Sequence, residues 1–235
     1  MAEMSIQQLL FQERVNTGTT WTRNEEFEKN GYFIIKNLCD PKDLYHPVPK
    51  ERGQLSYHGS LDKVDHDPVE QQVRGSLSRY THPQYKKLHS SVRRRVEKEI
   101  GRSLYETYYY DRFYFAKQEL VAHADRPSCE ISCTVHCSGN LEEEWPIWIK
   151  TPDTYSDKTK KEIIKKGDVH YAILEPGDGM VYKGCERPHW REEIPIPKKN
   201  WFNKKKEYYF HQIFFHYVLQ DGERAHFAWD HGISL

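Results

Sequence analysis

The spacing of apolar positions changes character near residue 103. Before it, patches of apolar residues recur at helical intervals. After it, short blocks of β-branched and aromatic residues alternate with polar ones at the period of a strand. Residues 5–15 predict a short helix, with Ser5 as its cap and Ile6, Leu9 and Leu10 on the buried side. Residues 22–29 predict a second helix, closed by Asn30-Gly31, and Tyr32, Phe33, Ile34 and Ile35 read as a strand before a turn at Asp40-Pro41. Residues 46–82 are poor in apolar positions and carry His46, Pro47, Pro49, Gly53, Gly59 and Pro68, so a long loop is expected there. The clearest helix is 83–101. Pro83 suits its first turn, Tyr85, Leu88, Val92, Val96 and Ile100 form one stripe, and Gly101 suits the position just past its end. Strands are expected at 105–115, 129–137, 145–149, 170–174, 179–183 and 208–219. The charged stretch 158–166 reads as a solvated loop or helical turn. Helices first and many short strands afterwards predict a mainly β fold with flanking helices (α+β): a sandwich buttressed by its N-terminal part. We expect one domain over 1–235, with a helical part and loop at 1–102, a β core at 103–220 and a packed tail at 221–235.

Composition narrows the function classes. The 235 residues have a formal net charge of zero at a charged fraction of 30%, which gives no general polyanion-binding surface. Arg93, Arg94 and Arg95 read as a solvated helix face, and nucleic acid is disfavoured as a partner. No apolar run approaches the roughly 20 residues needed to cross a bilayer. The first residues lack a basic start followed by an apolar stretch, so no signal peptide is expected. Five cysteines, an odd number without zinc-finger spacing, read as reduced, buried thiols in a cytoplasmic protein. Spacing by four places Cys129, Cys133 and Cys137 on one face of a single strand.

The candidate chemistry starts at His123-Ala124-Asp125. On an extended chain the histidine and the aspartate point the same way, with Cα atoms roughly 6.6 Å apart. Two histidines and one carboxylate, with other positions open, is the ligand set of non-haem Fe(II) oxygenases. His189, after a strand, a Pro176-Gly177-Asp178 turn and another strand, is the candidate third ligand. His136 and His170 lie in strands without a carboxylate at matching spacing. His211 and His216 are five apart and fall on opposite faces.

In order, Tyr114, His123-Ala124-Asp125, the run from Glu175 through the turn to Lys183, and His189 resemble the Fe(II)/2-oxoglutarate-dependent oxygenases, specifically their prolyl-hydroxylase-like branch. Asn30-Gly31-Tyr32-Phe33-Ile34-Ile35 is similar to that family's opening strand. The resemblance spans roughly 30–220 and implies a double-stranded β-helix (a jelly roll). It implies Fe(II) held by His123, Asp125 and His189, 2-oxoglutarate as cofactor contacted by Tyr114, and O₂ as co-substrate. The implied reaction is hydroxylation of an unactivated C–H bond with release of succinate and CO₂, on a prolyl or other amino-acid or peptide substrate.

Two features depart from the pattern. The turn after Tyr114, Phe115-Ala116-Lys117-Gln118, lacks the family's glycine. The family tends to place the basic residue that holds the far carboxylate of 2-oxoglutarate roughly ten residues after the distal histidine, where counting does not choose a residue in this chain. That region is an expanded loop carrying Lys198, Lys199, Lys204, Lys205 and Lys206. Arg191 is the geometric choice. Two residues past His189 on a continuing strand, it points inward with the ligand, and its fork suits a carboxylate. Lys206 is its rival, and a salt bridge with Glu192 or Glu193 is the structural alternative for Arg191. Alternation from Tyr114 puts Tyr108, Tyr110 and Arg112 on the inner face, where Tyr110, Arg112 and the nearby Arg126 are candidate substrate contacts. Two other readings stay open: a jelly-roll binding module without catalysis, and a nucleic-acid-binding domain using the arginine and lysine clusters.

Overall fold

A computed structural model describes residues 20–50, 54–56, 73, 76–156, 162–197 and 206–229. The helix expected at 5–15, Lys198, Lys199, Lys204 and Lys205, and the last six residues of the tail lie outside the described residues. Helix α1, Glu25–Asn30, is capped by the Asn24 side chain at the Phe27 amide. It ends at Gly31, whose φ of 77° is the left-handed geometry a helix terminator adopts. Strand β1 is Tyr32–Ile35, and α2 is a single turn, Pro41–Leu44, started by Asp40. A 3-10 turn, Pro83–Tyr85, leads into α3, Lys86–Ile100, which Gly101 closes at φ 65°. Arg93 pairs with Glu97 and Glu106, and Arg95 with Glu99, so both arginines lie on a solvated face.

The strands β2 (Gln54–Ser56), β3 (Leu77–Tyr80), β4 (Leu104–Phe115), β6 (Ile131–Gly139), β11 (Gly179–Tyr182) and β13 (Tyr209–Leu219) join β1 in a seven-stranded sheet. Its order is β1-β11-β6-β13-β4-β3-β2. A four-stranded sheet runs β10-β7-β12-β5, from β10 (Val169–Ala172), β7 (Ile147–Lys150), β12 (His189–Arg191) and β5 (Leu120–His123). All pairs in these two sheets are antiparallel except β2 with β3. The inner faces meet in two clusters. One brings Tyr110, Tyr114, Phe210 and Phe214 of the large sheet against Leu120 and Trp145; the other brings Met180 and Tyr182 against Ile147 and Ile149. The outer face of the large sheet is covered by the 3-10 turn and α3, through Tyr85 of the turn and Val92, Val96 and Ile100 of the helix, against Ile131, Val135, Ile213 and Phe215. The expected helix-buttressed sandwich is therefore present.

Three local expectations change. Leu77–Tyr80, expected as loop, is a strand that widens the large sheet beside β4. Too few apolar residues precede it to register a strand by pattern. The charged stretch 158–166 contains a strand, β9 (Ile163–Lys165), paired with β8 (Thr154–Tyr155) in a two-stranded ribbon. Cys129 does not share a face with Cys133 and Cys137. It ends a 3-10 turn, Pro127–Cys129, ahead of β6 and joins the inner cluster, while the other two face the helix side. No helix among the described residues is long and apolar enough to cross a membrane.

His89 on α3 is buried and stacks on Phe215 with ring centroids 5.6 Å apart. Burial pushes its pKa down to about 4, against the opposing pull of Glu106. A histidine that stays neutral when folded but charges when unfolded costs stability as pH falls from its unfolded value toward about 4. Urea unfolding should therefore lose about 1.5 kcal/mol between pH 6.5 and pH 5 through His89 alone. His89→Gln should remove that part of the slope, and an unchanged slope would contradict the assignment.

Candidate metal centre

β12 pairs with β5 so that His189 stands opposite His123. The chain leaves β5 at His123, and the Asp125 amide donates to Gly184 O at 2.8 Å, which turns the carboxylate toward the pair. Asp125 Oδ1 lies 3.5 Å from His123 Nε2 and 3.6 Å from His189 Nε2, and the two rings are 4.4 Å apart. The three donor atoms fall within 4.8 Å of one another, the spacing of ligands around a single ion. Each histidine uses its other nitrogen locally. His123 Nδ1 donates to Val121 O at 2.7 Å, and His189 Nδ1 to Arg187 O at 3.0 Å. These bonds fix the tautomer that presents a lone pair on Nε2.

Asp125 is braced from behind. Ser132 Oγ donates to Asp125 Oδ2 at 2.8 Å, so the Ser132 oxygen accepts from His216 Nδ1 at 2.9 Å. Burial opposes the charge on Asp125, but His189, His123 and His216 outweigh it and hold the carboxyl well below the usual range. Gly184 completes the cradle. A Cβ there would sit 2.5 Å from Asp125 Oδ2 and 2.6 Å from Ser132 Oγ, and would also strike the Cys129 carbonyl.

Beyond the triad the sandwich interior is unusually polar. Tyr114 and Arg191 both lie against Trp145, the tyrosine ring at 5.0 Å and the guanidinium at 4.6 Å. Arg191 is buried, and its Nη1 donates to Trp145 O. Burial pushes its pKa down to about 10, with Tyr114 and Tyr182 pulling the other way. Among the described residues no carboxylate pairs with it; the alternative pairing with Glu192 or Glu193 is not made. Tyr114 Oη, His136 Nε2, Arg191 Nε, Gln212 Oε1 and His216 Nε2 are buried without a hydrogen-bond partner. A buried polar group left unmatched costs on the order of 1–3 kcal/mol. Several lie in one interior, on inward-facing positions of β4, β6, β12 and β13, and call for partners that the described residues do not supply.

The remaining sequence candidates are placed as follows. Lys206 is not part of this interior; its ammonium pairs with Glu142 at 3.1 Å near the surface and lies over Tyr208. Tyr110 and Arg112 are on the inner face of β4, with the Arg112 guanidinium 5.3 Å from the Tyr110 ring and its Nε donating to Ser78 Oγ. Arg126 lies over Tyr108 at 4.5 Å, beside the ligand loop. His211 faces away from the site and bonds Asp111 at 2.7 Å, in a buried cluster with Arg79 on the helix side. Ser132, Gln212 and Gly184 escaped sequence reasoning, Trp145 figured there only as part of a strand, and His136 and His216 only as poor ligand candidates. Alternation along β6 from Cys133 and Cys137 could have found Ser132 and His136; nothing local marks Gly184.

If the brace positions Asp125, then Ser132→Ala and Gly184→Ala should each weaken Mn²⁺ binding, measured by calorimetry, by about 10–100-fold. Unchanged affinity in both would show that Asp125 needs neither.

No family model and no curated protein matches the chain. Solved structures do. It superposes on a prolyl-4-hydroxylase of Pseudomonas putida with a TM-score of 0.50 at 10% identity, over 88% of this chain and 98% of that one. An oxidoreductase of the 2OG-Fe(II) oxygenase family from Burkholderia pseudomallei gives 0.52 at 9% identity, over 88% and 90%. The epimerase SnoN in complex with Fe3+, alpha ketoglutarate and nogalamycin RO gives 0.51 at 8% identity, over 89% and 84%. Resemblance and superposition agree on the architecture: the chain has the jelly-roll fold of the Fe(II)/2-oxoglutarate oxygenases.

Proposed function

We propose that the chain is a single-domain Fe(II)- and 2-oxoglutarate-dependent dioxygenase. The observation that carries this reading is Arg191: a buried cation without a carboxylate partner among the described residues, two positions along β12 from a metal-ligand histidine. A two-histidine, one-carboxylate set suits Fe(II) and leaves positions for other ligands. The strand offset between His189 and Arg191, roughly 6.6 Å, suits a short diacid that chelates the metal at one end and meets the guanidinium at the other. Iron with 2-oxoglutarate and O₂ supplies oxidative decarboxylation, giving succinate and CO₂ and oxidising a C–H bond.

The protein's own part is holding and orienting. His123, Asp125 and His189 hold the metal, with the Ser132–His216 brace fixing which Asp125 oxygen faces it. Arg191 neutralises the distal carboxylate of the cofactor, and the Tyr114 hydroxyl donates a further hydrogen bond. The aromatic walls, Trp145, Phe210 and Phe214, keep water from that charge pair, which strengthens it. Tyr110, Arg112 and Arg126 line the approach and contact a substrate, for which an amino-acid or peptide, prolyl residues included, is the working class.

Two measurements follow. Arg191→Met should lose roughly 1.5–3 kcal/mol of 2-oxoglutarate affinity, while Lys206→Ala should retain it; the reverse pattern would move the anchor to Lys206. Succinate release, screened across amino acids and proline-containing peptides, should rise above the uncoupled background with the true substrate class. Folded, iron-loaded protein that consumes no 2-oxoglutarate under any condition would favour a binding module instead.

A further inference from the structure

Asp125 also belongs to a second, different set of donors. Cys129 Sγ, a ring nitrogen of His216 and an Asp125 oxygen lie within 4.8 Å of one another. Cys129 and His216 are both almost wholly buried, at 1% and 2% exposure. The thiol is within 3.2 Å of the Tyr108 hydroxyl, and His216 Nε2 has no hydrogen-bond partner. Ser132 Oγ bridges Asp125 and His216 and is 3.3 Å from the Cys129 carbonyl, so the donors belong to one connected group. Cys129 and His216 are held by regular elements: Cys129 closes the 3-10 turn before β6, and His216 lies within β13.

A sulfur, a nitrogen and an oxygen form a donor set unlike the two nitrogens and an oxygen of the first triad. Thiolate favours soft and borderline cations such as Zn²⁺ over the oxygen-loving ones. We propose that Asp125, Cys129 and His216 form a second metal site, for Zn²⁺ and other thiophilic divalent ions, which shares Asp125 with the His123/His189 site. On binding, the metal–sulfur bond replaces the S–H bond of Cys129 and the proton leaves to solvent; no electrons are exchanged. The Ser132 hydroxyl turns aside from Asp125 as the ion takes that carboxylate. One carboxylate then serves two sites, so a thiophilic ion withdraws a ligand from the first. Zn²⁺ thereby acts against the first site without occupying it. This inference stands on coordination alone and does not depend on the proposed activity.

The test is zinc-edge X-ray absorption on the full chain, stripped of metal and given one equivalent of Zn²⁺, in the His189→Ala background where the first triad is broken. The expected first shell contains one sulfur at about 2.3 Å. A shell of nitrogen and oxygen alone overturns the site. Adding Cys129→Ser should remove the sulfur; sulfur that persists belongs to another cysteine and also overturns it. Adding His216→Gln instead should weaken Zn²⁺ binding by on the order of tenfold or more, and unchanged affinity counts against the site. Near-ultraviolet circular dichroism checks that each variant is folded, and His189→Gln replaces His189→Ala should the latter unfold. Because Cys129 takes no part in the first triad, loss of the sulfur shell sinks this site alone. Absence of 2-oxoglutarate chemistry in the zinc-free, iron-loaded wild-type chain, with the sulfur shell found in the variant, sinks the oxygenase reading alone.

Discussion

His123 faces His189 because β12 pairs with β5 at that position, ahead of a register shift that sets Arg191 opposite Leu120, and the candidate metal centre depends on that pairing. A slip of one residue would turn His189 and Arg191 to the outer face and Trp190 to the interior. The neighbouring pairs oppose such a slip. On β12's other side Trp190 lies opposite Trp148, and the two rings stack outside the sheet at 6.3 Å. Inside, Arg191 is seated against Trp145 and Phe210. The packing that fixes the strand is therefore the packing that aims its ligand.

The interior departs from an ordinary sandwich core in its charge. The outer face of the large sheet neutralises its buried ions locally, Arg79 with Asp111 and His211. The interior between the two sheets instead keeps Asp125, just after β5, among histidines and Arg191, on β12 of the smaller sheet, among aromatic rings. Leaving an arginine without an anion in a dry interior is costly, and the polar atoms around it are likewise unmatched. A diacid that chelates a metal at one end and meets Arg191 at the other would satisfy both halves of the interior together. The resulting division sets structural ion pairs on the outer side of the large sheet and unmatched polar groups between the two sheets.

What could be read from the chain follows from how local the signals are. The helix 83–101 was legible because its stripe, its first-turn proline and its closing glycine all sit within one element. His123 and Asp125 were legible as a pair because two positions on an extended chain share a face. His189 required the ordered resemblance as well as the residue itself. Ser132 and His216 were not legible as supports of Asp125, since their meeting depends on β6 and β13 being neighbours. Cys129 was misplaced for a related reason: regular spacing by four suggested one continuous strand, and the 3-10 turn at Pro127 breaks it. The strand at 77–80 carries too few apolar residues to declare itself; β4 supplies the partner that makes it one. Lys206 was a rival for the anchor by position along the chain alone, and its pairing with Glu142 follows from tertiary contacts that counting does not reveal.

The central claim is that one metal ion and 2-oxoglutarate occupy this interior together. The most direct measurement is the visible absorption of the anaerobic protein with Fe(II) and 2-oxoglutarate. A weak metal-to-ligand charge-transfer band should appear in the wild-type chain and vanish in His123→Ala. Folded wild-type protein that gives no band, or a band unchanged in His123→Ala, would contradict it.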